Sequence, residues 1–325
     1  MSKLATIEKI ESVSPVENSD HLHKYKVLGW QCVSKSKYNI GDLVVYIRTD
    51  TVADSNNPIF EFLEKQNWRI KPIKLRGEHS NGLILPWQDF FNECPEIGID
   101  VADKIGITKY EKPVNYIMGD VKGSFPTHLV SKTDEENIQN IPQILNEILG
   151  QPYYATVKLD GSSATYICDE NGEFRVCSRT LELKDNPNSQ YWAPVYKNNY
   201  KSKFPKGIAI QGELCGPKIQ NNPLGLTQIE FFMFNAFDIK TRKMFSYSDM
   251  MDLRNSLDIP MVPVFETGIF NYNSIDELLS VVQTAHYNTN GKNAEGLVFR
   301  LTEPRFSDKV QKELSFKVIN PKYKD

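Results

Sequence analysis

The stretch YYATVKLDGSSATYI, Tyr153 to Ile167, decides how this chain is read. β-Branched and aromatic residues dominate it, as in a strand, and Asp160-Gly161 marks a turn. Lys158 interrupts the apolar run two residues before the aspartate. A lysine there is either a solvated edge residue or a nucleophile, and the local pattern fits both.

Working outward, residues beyond Gly150 alternate between strand and helix patterns. ATVKLD, ATYICD, EFRVCSR, GIAIQGELCG, FFMFNAFDI, EGLVFRL and LSFKVIN read as strands. SYSDMMDLRNSL and SIDELLSVVQTAHY read as helices, each with a serine at the cap position. Upstream, TDEENIQNIPQILNEILG reads as a helix capped by Thr133 or Asp134. Ile144, Leu145 and Ile148 form its stripe and Pro142 splits it. The first hundred residues carry KYKVLGWQCV, GDLVVYIRTDTVA and NGLILPW between polar turns, a pattern that suits a small β-barrel. Between them, 101–125 is rich in Gly, Pro and Lys without periodicity and reads as a linker. The expected fold is therefore α+β: a small barrel over 1–100, then a unit over 126–325 with mostly antiparallel sheets and flanking helices.

The 325 residues are 40% hydrophobic and 24% charged, with a formal net charge of -3. That is an ordinary globular composition, so any polyanion site is a local patch rather than the whole surface. No apolar run reaches the roughly 18 residues of a membrane span, and the charged N-terminus lacks a signal-peptide core. An intracellular monomer is expected. Five cysteines, odd in number and without a CxxC pair, argue for a reducing compartment and against structural zinc. Cys168 and Cys177 flank a turn and could face each other, but two buried free thiols are the favoured reading.

Several strand ends in the second unit carry polar groups that packing does not call for: Lys158, Asp160, Arg179, Glu213, Glu295 and Lys317. Each one alone reads as a solvated edge or a surface ion pair. Together, three carboxylates, two lysines and an arginine need a highly charged object among them. A nucleoside triphosphate with a divalent cation is such an object.

KLDG, SRT, GELCGPKIQNN, FFMFNAFDI, EGLVFR and SFKVIN, in that order, resemble the motif series of the covalent nucleotidyltransferases, which include RNA ligases, DNA ligases and mRNA capping enzymes. GELCGPKIQNN and FKVINPKY resemble the RNA ligases in particular. The chain ends eight residues after Lys317, and a barrel-like segment precedes the motifs. That order resembles the fifth family of RNA ligases, in which an OB-like domain comes first.

The resemblance implies an ATP-dependent enzyme that seals 3′-hydroxyl/5′-phosphate nicks through a lysyl-AMP intermediate, with Mg²⁺ or Mn²⁺. Lys158 would carry AMP and Lys317 would contact the α-phosphate. Asp160, Glu213 and Glu295 would hold the metal, directly or through water. Leu159 would lie in the nucleotide site, Arg179 would read the ribose or the nick phosphate, and Phe237 would stack on adenine, although an FxxF pattern in a strand also suits a core. A free lysine, with a pKa of ~10.4, is mostly charged at neutral pH, so a nucleophilic lysine must be made a free amine by its surroundings.

The chain departs from the phage-type nick-sealing branch at three places. Ile319 stands where a second lysine is expected, Asp160 where that branch has histidine, and Asn137 where an arginine would meet the triphosphate tail. The implied partner is nicked duplex RNA or an RNA–DNA hybrid. KQNWRIKPIKLRG, with Lys65, Arg69, Lys71, Lys74 and Arg76 around Trp68, and YKNNYKSKFPK, with Lys197, Lys201, Lys203 and Lys206, supply basic residues for phosphates. Either stretch is equally a solvated loop. A DNA ligase or a GTP-using capping enzyme remains a second reading. An RNA-binding protein with a degenerate transferase unit is a third, since VENSDHLHKYKVLG also resembles OB modules that bind transfer RNA.

Overall fold

The computed structural model describes residues 3–17, 19–110, 120–287 and 291–323. The chain divides into two compact units, Met1–Val114 and Asn115–Asp325.

In the first unit Leu43–Ile47 is the central strand of a three-stranded antiparallel sheet, flanked by Ala5–Lys9 and Leu83–Pro86. It is apolar on both faces because each face meets a core. Val45 and Ile47 pack with Ile7, Phe60 and Ile105, while Val44 and Tyr46 pack with Ile10, Tyr25 and Cys32. His23–Val27 pairs with Ser12–Pro15 and with Trp30–Ser34. The expected linker is not a linker throughout. Ala102–Ile105 is a short helix, and Ile107–Lys109 pairs with Thr51–Ala53. Val101, Ala102, Ile105 and Ile107 close the first core, and a run this short shows no periodicity. Val121–Ser124 pairs with Leu181–Leu183 in the second unit, and residues 111–119 lie outside the described part of the chain.

The second unit has two principal antiparallel sheets. Seven strands run in the order Val121–Ser124, Leu181–Leu183, Phe174–Ser178, Ser162–Cys168, Ile208–Cys215, Glu230–Asp238, Lys243–Met244. Four run in the order Val264–Ile269, Pro152–Lys158, Gly296–Leu301, Ser315–Ile319. The quoted stretch is thus no hairpin: its halves belong to different sheets, and Leu159-Asp160-Gly161 is the crossing between them. In the four-stranded sheet Ala155, Val157, Leu297, Phe299, Phe316 and Val318 point into one core. The alternate residues Thr156, Lys158, Val298, Arg300, Ser315 and Lys317 face the other way.

The two serine-capped helices are Tyr247–Leu257 and Ile275–Val282, with Ser246 and Ser274 accepting from the amides of Asp249 and Glu277. The expected helix from Thr133 is different. Only Leu145–Ile148 is α-helical, after single turns at Ile138–Asn140 and Pro142–Ile144. The polar segment before them is extended, because its side chains and backbone are committed to the sheets. Arg300 donates to Glu135 (3.1 Å) and to Thr156 (3.2 Å), Lys312 reaches Glu135 at 3.2 Å, and the Ser315 hydroxyl donates to it at 2.5 Å. Lys317 donates its backbone N–H to the Glu136 carbonyl. Asn137 is buried and caps the next turn by accepting from the Gln139 amide. Cys168 and Cys177 lie on opposite sheet faces, opposite Phe174 and Thr165 respectively, and all five cysteines are free. Among the described residues no helix is long and apolar enough to cross a membrane.

Burial alone would raise the Glu135 carboxyl, but the Lys312 and Arg300 charges and the Ser315 hydroxyl outweigh it and bring it from 4.5 to about 2. A depressed carboxylate contributes stability that is complete above its unfolded value and is lost as pH falls through the folded one. Glu135→Gln is expected to cost about 3 kcal/mol near neutral pH, since it strands the buried Arg300 and the partly buried Lys312. The gap in unfolding midpoint between parent and variant should narrow from about pH 6 to about pH 3. A gap that stays constant with pH would show that the pairing contributes nothing.

Candidate functional site

The site forms where the chain crosses between the two sheets. Lys158 ends its strand opposite Gly296, so its side chain stands beside that of Glu295, with 2.6 Å between ammonium and carboxylate. Gly296 is required there: a Cβ would come within 2.3 Å of the Val318 carbonyl oxygen. Lys317 projects from the same sheet face. Burial first, and then the Lys158 charge, pull its pKa below the ordinary lysine value.

Leu159 turns inward and is buried in the core, so its side chain is not free to meet a ligand. Asp160 accepts from the Tyr323 hydroxyl at 2.5 Å. Gly161 then meets the second sheet. A Cβ on it would lie 2.2 Å from the Leu214 carbonyl oxygen and 2.8 Å from the Glu213 side chain. This close approach explains the glycine of KLDG and brings Glu213 under the crossing.

Glu213 accepts from the Gly161 amide, yet its pKa is pushed up to about 8. Burial is the main cause, and the charges of Glu295 and Asp160 add to it, against Lys158. Three carboxylates therefore feel one another here with one ammonium directly paired among them. Among the described residues, no three His, Cys, Asp or Glu side chains are close enough to hold a metal ion by themselves. The donors are all oxygens and carry surplus negative charge, which fits a hard cation that brings other ligands with it.

Arg179 follows the Phe174–Ser178 strand and pairs with Asp134 at 2.6 Å, both side chains being about half exposed. Asp134 also raises the pKa of Lys317, which places it on the rim of the same site. Ile319 shares the sheet face of Lys317, so the position of the expected second lysine faces the site without a cation.

Phe237 does not reach this group. It is on the expected sheet face but beyond a bulge between Gln211 and Gly212, packed with Phe125, Val130, Ile167, Cys177, Ala209 and Ile239. The aromatic opposite Glu213 is Phe232, partly buried on the site side of the bulge. FFMFNAFDI offers four phenylalanines to choose from, and only the bulge decides which of them lies near the carboxylate.

The basic stretches divide similarly. Lys65, Lys71 and Arg76 are exposed, but Arg69 stacks on Tyr110 at 3.7 Å and pairs with Asp50. In YKNNYKSKFPK the aromatics Tyr200 and Phe204 are core residues, and Lys201 pairs with Asp185. Sequence reading missed Glu135, Arg300, Tyr287 and Tyr323. Arg300 was detectable as the one charge inside GLVFRL, whose six residues are all buried.

An OB-type barrel unit followed by a two-sheet unit with a charged crossing is the architecture of a polynucleotide ligase. A family model described as RNA ligase matches residues 151–319, and an OB-fold model matches residues 4–87. The chain belongs to the RNA ligase family. Among solved structures it is similar to Naegleria gruberi RNA ligase with pyrophosphate, at 30% identity over 99% of this chain and 98% of that one, with a TM-score of 0.82. A variant of the same enzyme with AMP and manganese matches at 30% identity, with the same coverage and a TM-score of 0.83. Another with ATP and manganese matches at 29%, again with that coverage and a TM-score of 0.82. No curated protein matches.

Gly161→Ala is expected to force the two sheets apart at the crossing. Overpacking of this kind costs about 1–3 kcal/mol. Differential scanning calorimetry should show a lower unfolding temperature than the parent's, and an unchanged one would mean that the crossing has slack.

Proposed function

We propose that the protein seals 3′-hydroxyl/5′-phosphate nicks in duplex RNA or RNA–DNA hybrid, using ATP and a lysyl-AMP intermediate on Lys158. The observation that carries this is the meeting of Lys158, Asp160, Glu213, Glu295 and Lys317 at one crossing. The relatives add support. Solved variants of the Naegleria enzyme replace a lysine, an aspartate two residues later, two glutamates and a further lysine, the same residue types in the same order.

In the first step the Lys158 amine attacks the α-phosphorus of ATP. A P–N bond forms, the bond to the bridging oxygen breaks, and pyrophosphate leaves. Glu295, 2.6 Å away, is the nearest acceptor for the proton that Lys158 must lose. Lys317 stabilises charge on the phosphate in the transition state. Asp160, Glu213 and Glu295 are the oxygens that would hold a divalent cation or its waters, and such a cation would offset phosphate charge. Phe232, across from Glu213, is better placed than Phe237 to lie against the base. Arg179, released from Asp134, takes the ribose or the nick phosphate. In the second step the P–N bond breaks as AMP passes to the 5′-phosphate. In the third the 3′-oxygen attacks that phosphorus and AMP leaves. Exposed Lys65, Lys71 and Arg76 of the first unit hold the duplex by its phosphates, without reading sequence.

Lys158→Ala should give no protein–AMP adduct by intact mass after incubation with ATP and Mg²⁺, yet should still seal a pre-adenylylated nick. An adduct at parental yield would overturn the assignment. Substrates with ribose or deoxyribose on either side of the nick separate RNA from DNA sealing, and labelled GTP in place of ATP tests the capping alternative.

A further inference from the structure

We propose that Tyr323 is a positioning residue of the adenylylation site, holding the Asp160 carboxylate in register with Glu295; this rests on the reading of Lys158 as the AMP carrier. Tyr323 lies in the turn after the Ser315–Ile319 strand, three residues past Asn320. That turn is fastened to the loop that carries Glu295. Buried Asn320 donates its backbone N–H to the Glu295 carbonyl (2.9 Å) and its side-chain amide to the Ala294 carbonyl (3.1 Å). The same side chain accepts from the Lys322 amide, and Asn293 donates to the Lys322 carbonyl.

From this fixed turn the Tyr323 hydroxyl donates to Asp160 at 2.5 Å. Tyr287 stands beside it. The Tyr287 oxygen in turn accepts from the Glu295 backbone N–H at 3.2 Å. Glu295 and Asp160 are thus linked by a hydrogen bond to a tyrosine at either end and by the contact of the two tyrosines between them. The Tyr287 and Tyr323 rings meet edge to face, with centroids 6.4 Å apart, which fixes both hydroxyls. Asp160 sits in the crossing and Glu295 in a loop of the other side of the site. The Lys158–Glu295 pair also joins the two sides, but the reaction itself must break it.

The test compares the full-length parent, Tyr323→Phe, Tyr287→Phe and Lys322→Ala. Lysyl-AMP formation is followed by intact mass in single turnover, over a range of ATP and Mg²⁺ concentrations, at a temperature where circular dichroism shows every variant fully folded. Tyr323→Phe keeps the ring and removes only the donor. It should slow adduct formation by about tenfold or more at saturating ATP, the effect of losing a hydrogen bond to a charged group. It should also raise the Mg²⁺ concentration for half-maximal rate, while half-saturating ATP changes less than twofold. Tyr287→Phe should show the same pattern more weakly, and Lys322→Ala should match the parent. A Tyr323→Phe rate within twofold of the parent at every Mg²⁺ concentration overturns the proposal, and so does an equal loss in Lys322→Ala. Absence of an adduct in the parent would instead overturn the reading of Lys158.

Discussion

The contact of Gly161 with the Leu214 carbonyl is the constraint on which the rest of the second unit depends. At this point a strand of one sheet passes into a strand of the other with no side chain between them. Because the backbones are that close, a lysine at the end of one sheet and a glutamate in the middle of a strand of the other share one environment. The site is thus a by-product of a crossing, and its charged residues belong to elements that are otherwise apolar. The same closeness crowds the partly exposed Glu213 with protein, and this desolvation is the main reason its acid is so weak.

Charge balance gives the site its character. Lys158 is held by Glu295, Arg179 by Asp134, and Asp160 by a phenol, so most of the charges already have partners. Glu213 is the member left short of a cation. Such a set is stable when empty and still favours a ligand carrying both a cation and a polyanion. On the proposed reading a cation would relieve the carboxylates while phosphates took over the lysines and the arginine.

Much of this was legible in the sequence, and where it was not the reasons are physical. The strands of the second unit stood out as β-branched and aromatic runs, and the two helices by the serines that cap them. The six polar positions stood out because they lie in, or just beyond the ends of, otherwise apolar strands. Three features were not legible. The segment from Thr133 has helix-forming residues, but tertiary ion pairs outweigh propensity. The bulge at Phe234 exchanges which phenylalanine meets the site, and no turn residue signals it. Tyr323 looks like any aromatic in a polar tail, since its meaning depends on Asp160, 163 residues earlier.

The extended segment over Asp134 and Glu135 has a mechanical consequence. It is tied to the seven-stranded sheet through Arg179, by an exposed pair, and to the four-stranded sheet through buried Arg300, with Lys312 of the adjoining two-stranded hairpin reaching the same carboxylate. Exposed pairs hold with about 1 kcal/mol or less, whereas breaking a buried one costs several. Under any shear between the sheets the two anchors therefore yield in a fixed order. The segment lets go of Arg179 first and travels with the four-stranded sheet, carrying the backbone that supports Lys317. The unit is built like a clutch with one slipping plate, and the arginine on the slipping side is the one open to solvent.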